Sequence, residues 1–326
     1  MLKLSLGCYI IAWGNLLEKV GNLMELLKLI ADIRSPTLDT VVGLITRLGE
    51  ETVGVVFLCL ILWCISKKVA YGIGIAFFLS SLTVQGMKVI FRIERPWVID
   101  PTFTPVEGAI EYATGYSFPS GHTQTAASLY WAIGAQVRNK PVKAICFIIP
   151  ILVAFSRMYL GVHTLLDVVV SLLISFLLVL LTVKALTSDD ASKKRDFAIS
   201  LAMVLFSFAV IVVSVTLYAN GTIEAHYVRD CLIAGGACIG FAVGMFIERV
   251  FIKFSVKSKN IAIHIIKFII GIAGVIAIQE GLKLISTSLA FDMFRYFMML
   301  MWVTAFYPLI IKRFFSAGDL RTASGQ

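Results

Sequence analysis

The sequence predicts an all-α protein, a polytopic membrane bundle with about ten helical spans. Of its 326 residues, 59% are hydrophobic and only 15% are charged, whereas soluble domains average about 45–50% and about 25%. The apolar residues stand in long, almost uncharged runs, and the mean hydropathy is +0.90. They are far more numerous than a soluble core requires. This composition excludes a solenoid, a disordered or collagen-like chain and a disulfide-rich secreted protein.

The spans follow from the length of each apolar run, because a membrane-crossing helix needs roughly 20 apolar residues. The segment 1–50 is expected to add one crossing, although 4–17 is short for a span. Within it, 18–34 has the apolar face of an amphipathic helix that lies at the membrane interface. The nine clear runs are 51–66, 69–91, 120–137, 143–163, 165–186, 197–218, 231–252, 261–283 and 289–311.

A hydrophilic break divides the chain. Residues 187–196 are predicted to form a cytoplasmic linker between a first bundle, 1–186, and a four-span bundle of unknown role, 197–326. In the second bundle, Gly236, Gly240 and Gly244 are spaced for close helix packing, either onto the first bundle or across a homodimer. The charged residues near its span ends are interpreted as snorkelling side chains, with a transport path as the alternative; they are Glu248, Lys267 and Glu280.

Basic residues predict the orientation. The 29 Lys and Arg exceed the 20 Asp and Glu, for a net charge of +9, and they concentrate in alternate loops, which should be cytoplasmic. The loop 92–118 then faces outward, and no nucleic-acid partner is needed to explain the charge. We expect a multi-pass protein of the plasma membrane. The fourteen basic residues of the cytoplasmic loops are Lys67, Lys68, Arg138, Lys140, Lys143, Lys193, Lys194, Arg195, Arg249, Lys253, Lys257, Lys259, Lys312 and Arg313.

The first of three polar groups at outer span ends closes the run 69–91. Lys88, Arg92 and Arg95 are four and three residues apart, a spacing that places three cations on one helical face. Pro96 then ends the helix. Such a stripe suits a phosphate group, and binding of lipid headgroups is the simpler alternative.

The other two groups lie where later spans begin or meet. Ser117 and Pro119 suit a helix start whose free amides attract anions beside Gly121 and His122; ordinary helix-start chemistry is the alternative. Arg157 precedes His163 and Asp167, which are four residues apart. That spacing lets a carboxylate orient an imidazole if one helix runs through both, and a structural cap is the alternative. Together the three groups supply what phosphoryl chemistry at a histidine requires.

These residues resemble a known family. Lys88-x6-Arg95-Pro96, Pro119-Ser120-Gly121-His122 and Ser156-Arg157-x5-His163-x3-Asp167 are similar to the three-part motif of type 2 phosphatidic acid phosphatases. The resemblance spans roughly residues 50–186 and implies a six-helix phosphatase core. The catalytic residues it implies are His163 as nucleophile, Asp167 as the residue that orients it, and His122 as general acid. The phosphate-binding residues it implies are Lys88, Arg95, Ser120, Gly121 and Arg157.

The resemblance implies a histidine-nucleophile phosphatase that needs no metal and no cofactor. Its expected substrate is a membrane lipid phosphate or diphosphate, reached from the outer face. A lipid phosphotransferase and a sugar-phosphate phosphatase remain alternatives with the same site. A transporter or scaffold with a vestigial site is the non-enzymatic alternative. The motifs bind phosphate and do not select among lipid tails.

Overall fold

The computed structural model describes residues 23–111, 113–186, 192–258 and 260–315, and these ranges contain helices and loops but no strand. The helices are α1 (23–31), α2 (Pro36–Arg47), α3 (Glu51–Leu60, extended by a π-turn Ile61–Ile65), α4 (Lys67–Phe91), α5 (Pro96–Ile99), α6 (Gly121–Gln136), α7 (Lys140–Tyr159), α8 (Leu165–Leu186), α9 (Lys193–Ala219), α10 (Ala225–Ile247, extended by Glu248–Ile252), α11 (Ile261–Ile285), α12 (Leu289–Met301, extended by Trp302–Phe306) and α13 (Tyr307–Ile310, extended by Ile311–Phe315).

The all-α membrane bundle is confirmed, but the count of ten spans is not. Within the described ranges, seven helices are long and apolar enough to cross a membrane, and α2 with α3 makes an eighth if this pair, bent by 46°, is one span. Helix α6 has only 16 residues, which gives a length of about 24 Å, shorter than a full crossing. The segment 4–17 lies outside the described residues, and the division at 187–196 remains a prediction.

Helix α1 forms the described part of the predicted amphipathic helix. Leu27 is fully buried in a small cluster with Phe103 and Met158. The exposed side of α1 carries Lys28, whose Nζ lies 3.0 Å from Asp100 Oδ2. Since Asp100 belongs to the loop after α4, this helix lies beside the loops that join α4 to α6. Residues 18–22 of the predicted helix are outside the described ranges.

The glycine stripe packs inside the second bundle. A Cβ atom added to Gly236, Gly240 or Gly244 would collide with α12 or its π-turn extension, where the nearest atoms belong to Met293, Phe297 and Thr304. The prediction that the stripe packs onto the first bundle is therefore wrong, because α12 covers it. The homodimer stays a prediction, and the stripe no longer supports it. The two bundles meet elsewhere, for example where the ring of Phe241 of α10 packs directly against Gly74 of α4.

A buried ion pair joins α4 to the end of α10. Glu248 is 0% exposed and its carboxylate accepts from Lys67 Nζ at 2.7 Å and from the Tyr71 hydroxyl at 2.7 Å. The snorkelling interpretation is therefore wrong for Glu248. It is also wrong for Lys267, which is 1% exposed. The buried Glu248 carboxylate therefore links the two bundles at the end of α4 that begins with Lys67.

The other end of the bundle gathers four helix ends. Helix α4 ends there and α7 ends there, while α6 and α8 begin there. The Ser120 N–H donates to the Asp167 carbonyl at 3.2 Å, which links the starts of α6 and α8. Gly49 permits the approach of the α2–α3 bend, since a Cβ at this position would lie 2.6 Å from the His122 carbonyl oxygen.

Candidate active site

A cavity of about 580 Å³ opens where these helix ends meet. The cavity walls include six of the eight residues that the motifs predicted, namely Lys88, Arg95, Gly121, His122, Arg157 and His163. The other two, Ser120 and Asp167, are 0% and 1% exposed and lie directly behind this wall. The fold thus brings all three motifs to one place, although they are spread over residues 88–167.

His163 stands before α8, and Asp167 lies behind its ring. His163 Nδ1 is 3.4 Å from Asp167 Oδ2. The predicted contact is present, but the expected single helix through both residues is not, because α8 begins only at Leu165. Thr164 precedes the helix: its N–H donates to Asp167 Oδ2 at 2.7 Å, and the Asp167 N–H faces Thr164 Oγ1 at 3.4 Å. This reciprocal pair is a capping box. Asp167 therefore holds the start of α8 and contacts the imidazole at the same time.

The contacts of the imidazole indicate its tautomer. Arg95 is a pure donor, and its Nη1 lies 2.9 Å from His163 Nε2. The same Nη1 lies 3.5 Å from Nδ1, so the guanidinium stands over the face of the ring and does not fix the tautomer. The contact of Nδ1 with the Asp167 carboxylate favours the tautomer that carries its proton on Nδ1. Burial, with the charges of Arg95, Arg157 and Lys88, holds the pKa of His163 well below its ordinary value. The ring is therefore neutral near pH 7 and keeps a lone pair on Nε2, the nitrogen that faces Arg95.

Arg95 also ties the loop before α6 to the turn before α8. Its Nε donates to the Gly115 carbonyl at 3.0 Å, its Nη2 to Thr114 at 2.6 Å, and its Nη1 to Val162 at 2.9 Å. The side chain is 5% exposed. The planar guanidinium therefore satisfies three backbone carbonyls and still presents a positive charge to His163.

The predicted stripe of three cations is wrong for Arg92. Helix α4 ends at Phe91, and Arg92 takes a left-handed conformation with φ of 52°. The break turns Arg92 outward to solvent, whereas Lys88 and Arg95 are buried beside the cavity. Helical spacing therefore cannot be extended past residue 91, and Arg95 reaches the site from the following loop.

Arg157 carries a donor that suits an anion. It is 3% exposed, and its Nη1 donates to Thr46 Oγ1 at 3.0 Å. Its Nε is buried and has no hydrogen-bond partner among the described residues. A buried, unpaired guanidinium nitrogen is costly, so an oxyanion in this cavity would satisfy it.

The N-cap of α6 lies three residues after Ser117, which was predicted to cap this helix. Ser120 is the N-cap, and its Oγ lies 3.5 Å from the Thr123 amide. Ser117 instead donates from its hydroxyl to Asp167 Oδ2 at 2.6 Å. Gly121 and His122 occupy the first turn and line the cavity. Amides of a first turn have no acceptor within their own helix, so this turn suits a phosphate oxygen.

Gly121→Ala tests this helix start. A Cβ at Gly121 would meet no atom within 4 Å and would enter the cavity wall. We expect a folded protein whose KM for a phosphate substrate rises about tenfold, because a methyl group stands where the ligand must approach the amides. The measurement is a KM and kcat series with thermal unfolding in detergent.

Gly43→Ala is the matched control, since a Cβ at Gly43 also meets no atom within 4 Å but this glycine lies on α2, outside the cavity wall. An unchanged KM in Gly121→Ala, or an equal rise in both variants, contradicts the assignment.

Four residues contribute to the site in a way that the sequence did not predict. The Thr46 hydroxyl contacts Arg157, and the Ser117 hydroxyl contacts Asp167. Glu51 and Asp230 line the cavity near Lys88. Ser117 stood inside a motif and was given the wrong task. The other three lie on helices far from the motifs in the chain, and no local pattern distinguishes them from ordinary polar residues at span ends.

The fold and the site define a multi-pass helical membrane protein with a buried, cationic His–Asp site suited to phosphate. Residues 67–191 match the PAP2 superfamily, and residues 232–319 match the family described as PAP2 superfamily phosphatase, transmembrane extension. The chain is 30% identical over 154 residues to phosphatidylglycerophosphatase B of Bacillus subtilis, covering 42% of this chain and 69% of that protein. The chain belongs to the PAP2 superfamily, the family that the motifs predicted.

Two further similarities are more distant. The chain is 24% identical over 275 residues to human sphingosine-1-phosphate phosphatase 2, covering 76% of this chain and 65% of that protein. It therefore spans slightly less than two thirds of that relative. The crystal structure of Aquifex aeolicus LpxE shares 26% identity, with a TM-score of 0.41, over 49% of this chain and 93% of that one.

Proposed function

We propose that this protein hydrolyses a lipid phosphate or diphosphate at the outer membrane face through a phosphohistidine at His163, without a metal. The observation that carries the proposal is the arrangement of the imidazole: Nε2 faces Arg95 at 2.9 Å and Nδ1 faces Asp167 at 3.4 Å. A neutral ring with this tautomer is an activated nitrogen nucleophile. The names of two relatives, phosphatidylglycerophosphatase B and sphingosine-1-phosphate phosphatase 2, support a lipid phosphate as substrate.

In the first step, His163 Nε2 attacks phosphorus. The N–P bond forms as the bond from phosphorus to the leaving oxygen breaks. The negative charge of the bound phosphate favours the protonated form of His122, which lies on the same cavity wall. His122 then gives its proton to the leaving alkoxide or phosphate. The Asp167 carboxylate stabilises the positive charge that develops on the imidazole ring.

In the second step, water attacks the phosphohistidine. His122 accepts a proton from that water, the N–P bond breaks, and inorganic phosphate leaves with His163 neutral again. In both steps Lys88, Arg95 and Arg157 neutralise charge on the equatorial oxygens, a task that metal ions perform in other phosphoryl-transfer enzymes. The Gly121 amide and the Ser120 hydroxyl add hydrogen bonds to the same oxygens.

The outer-face assignment is supported by charge. Basic residues concentrate at the opposite ends of the helices that carry the site: Lys67 and Lys68 begin α4, whereas Lys88 is in its last turn, and Lys140 begins α7, whereas Arg157 is in its last turn. By the positive-inside rule, the Lys67 end is cytoplasmic. The plasma membrane is the membrane we propose for the protein.

Phosphate release from the purified full-length protein tests the reaction. In detergent, we expect release from phosphatidic acid or another lipid phosphate, changed less than about twofold by excess chelator, because arginine and lysine charges replace a metal. Glycerol phosphate and glucose phosphate, presented without lipid, are the soluble comparison. Activity on the soluble phosphates alone contradicts the lipid substrate, and loss of activity with chelator contradicts the mechanism.

A further inference from the structure

The phosphate site occupies only one end of the cavity. Beyond Lys88 and Arg95, the same cavity of about 580 Å³ continues between α4 and the helices α10, α11 and α12. Its volume lies within the usual range for a small-molecule site, about 300–1,000 Å³. The helices of the second bundle therefore supply part of the wall around the site, although they contain none of the three motifs.

The far end of the cavity is apolar. We name it the tail compartment and define it by six apolar residues of the second bundle: Ile233 and Ala237 of α10, Ile272 and Val275 of α11, and Met299 and Leu300 of α12. The polar residues of these helices that line the cavity lie nearer the helix ends on the phosphate side; they are Asp230, Gln279, Glu280 and Tyr296. Phe77 and Phe78 of α4 form the opposite wall. Such walls offer water no hydrogen-bond partners, so the natural occupant is hydrocarbon.

The cavity also reaches the surface that faces lipid. Ile276 lines the cavity and is 56% exposed, and its neighbours on α11, Ile269 and Ile270, are 59% and 45% exposed. In a helix of a membrane protein, exposed isoleucines of this kind contact lipid chains. An alkyl chain can thus pass from the bilayer along α11 into the compartment without crossing water.

We infer that α10, α11 and α12 hold the hydrocarbon tail of the substrate while Lys88, Arg95 and Arg157 hold its phosphate. This inference rests on the proposed function and assigns a role to the second bundle, which forms the tail side of the active site. Because the tail leaves one hydrocarbon environment for another, burial alone contributes little. The shape of the compartment then decides which tails are accepted.

Ala237→Trp fills the compartment and tests the inference. Ala237 is 7% exposed and lines the cavity away from the motif residues. In detergent, we expect kcat/KM for dioleoyl phosphatidic acid to fall at least about tenfold relative to dihexanoyl phosphatidic acid, which has the same headgroup and a shorter tail. Val212→Trp is the matched control, since it adds the same ring to an exposed position of α9 that lies outside the cavity wall and away from α11, and we expect wild-type kinetics.

A second variant covers the case in which the added ring prevents folding. Ile272→Ala with Val275→Ala enlarges the compartment, and we expect the preferred chain length in a series of saturated phosphatidic acids to increase. An unchanged long-to-short ratio in Ala237→Trp overturns the inference, and so does an unchanged chain-length profile in the enlarged variant. If the wild-type protein hydrolyses no lipid phosphate, the proposed function fails. If it does and the variants match Val212→Trp, only the inference fails.

Discussion

His163→Ala lowers the rate of phosphate release by roughly a thousandfold or more, because it removes the only atom proposed to form a bond to phosphorus. The imidazole is 2% exposed, and its contacts are to Arg95, Asp167 and Ser117. Loss of the ring leaves those residues in place, so the variant is expected to fold. The measurement is phosphate release in detergent, with thermal unfolding as the test of folding.

His264→Ala is the matched control. This histidine lies on α11, outside the cavity wall, and its Nε2 is 3.4 Å from the Ser258 carbonyl. We expect activity near the wild-type rate. A brief reaction with radiolabelled lipid phosphate, quenched in alkali, should leave label on the wild-type protein and none on His163→Ala. Label on both proteins, or a wild-type rate without His163, rejects this residue as the nucleophile.

Arg95→Ala has the second-largest expected effect, and it affects stability as well as rate. The substitution removes the donor to the buried Val162 carbonyl and to the part-buried carbonyls of Thr114 and Gly115. One buried acceptor left without a partner costs about 1–3 kcal/mol, so the unfolding temperature should fall. The rate should fall by about 10²–10³ because a preorganised donor to the phosphate is lost.

Two variants separate these effects. Arg95→Lys keeps the positive charge but not the planar fork, so it should recover part of the rate while the three carbonyls remain poorly satisfied. Arg92→Gln changes an exposed arginine at the end of α4, three residues before Arg95. This variant should match the wild-type protein in rate and unfolding temperature. A wild-type unfolding temperature for Arg95→Ala contradicts the structural part of the prediction. A wild-type rate contradicts the catalytic part.

The motifs predicted which residues lie together at the cavity, because each motif carries its polar groups locally. Pro96 begins α5 and does not end α4 as predicted, Ser120 caps α6, and Thr164 with Asp167 starts α8. Each motif is a helix end with polar residues attached, and helix ends of alternating spans meet at one membrane face. The order of the spans and the positive-inside rule therefore suffice to place the three motifs near one another.

Local periodicity failed where the backbone leaves the helix. The spacing of Lys88, Arg92 and Arg95 suggested one helical face, but the left-handed Arg92 ends α4 and separates the exposed arginine from the buried one. Ser117 was interpreted as a cap because it precedes a helix, and its hydroxyl instead supports Asp167. A helix boundary shifted by three residues is enough to change the partner of a side chain.

The amino-acid sequence by itself determined that this is a helical membrane protein with a cationic His–Asp site at helix ends, because hydropathy, charge and motif spacing act over short distances along the chain. Only the tertiary structure decided what surrounds that site. Thr46 meets Arg157 across 111 positions, and Ala237 and Leu300 share a cavity with His163. Such neighbours depend on how whole helices pack, and that packing is set by many weak contacts spread over each helix.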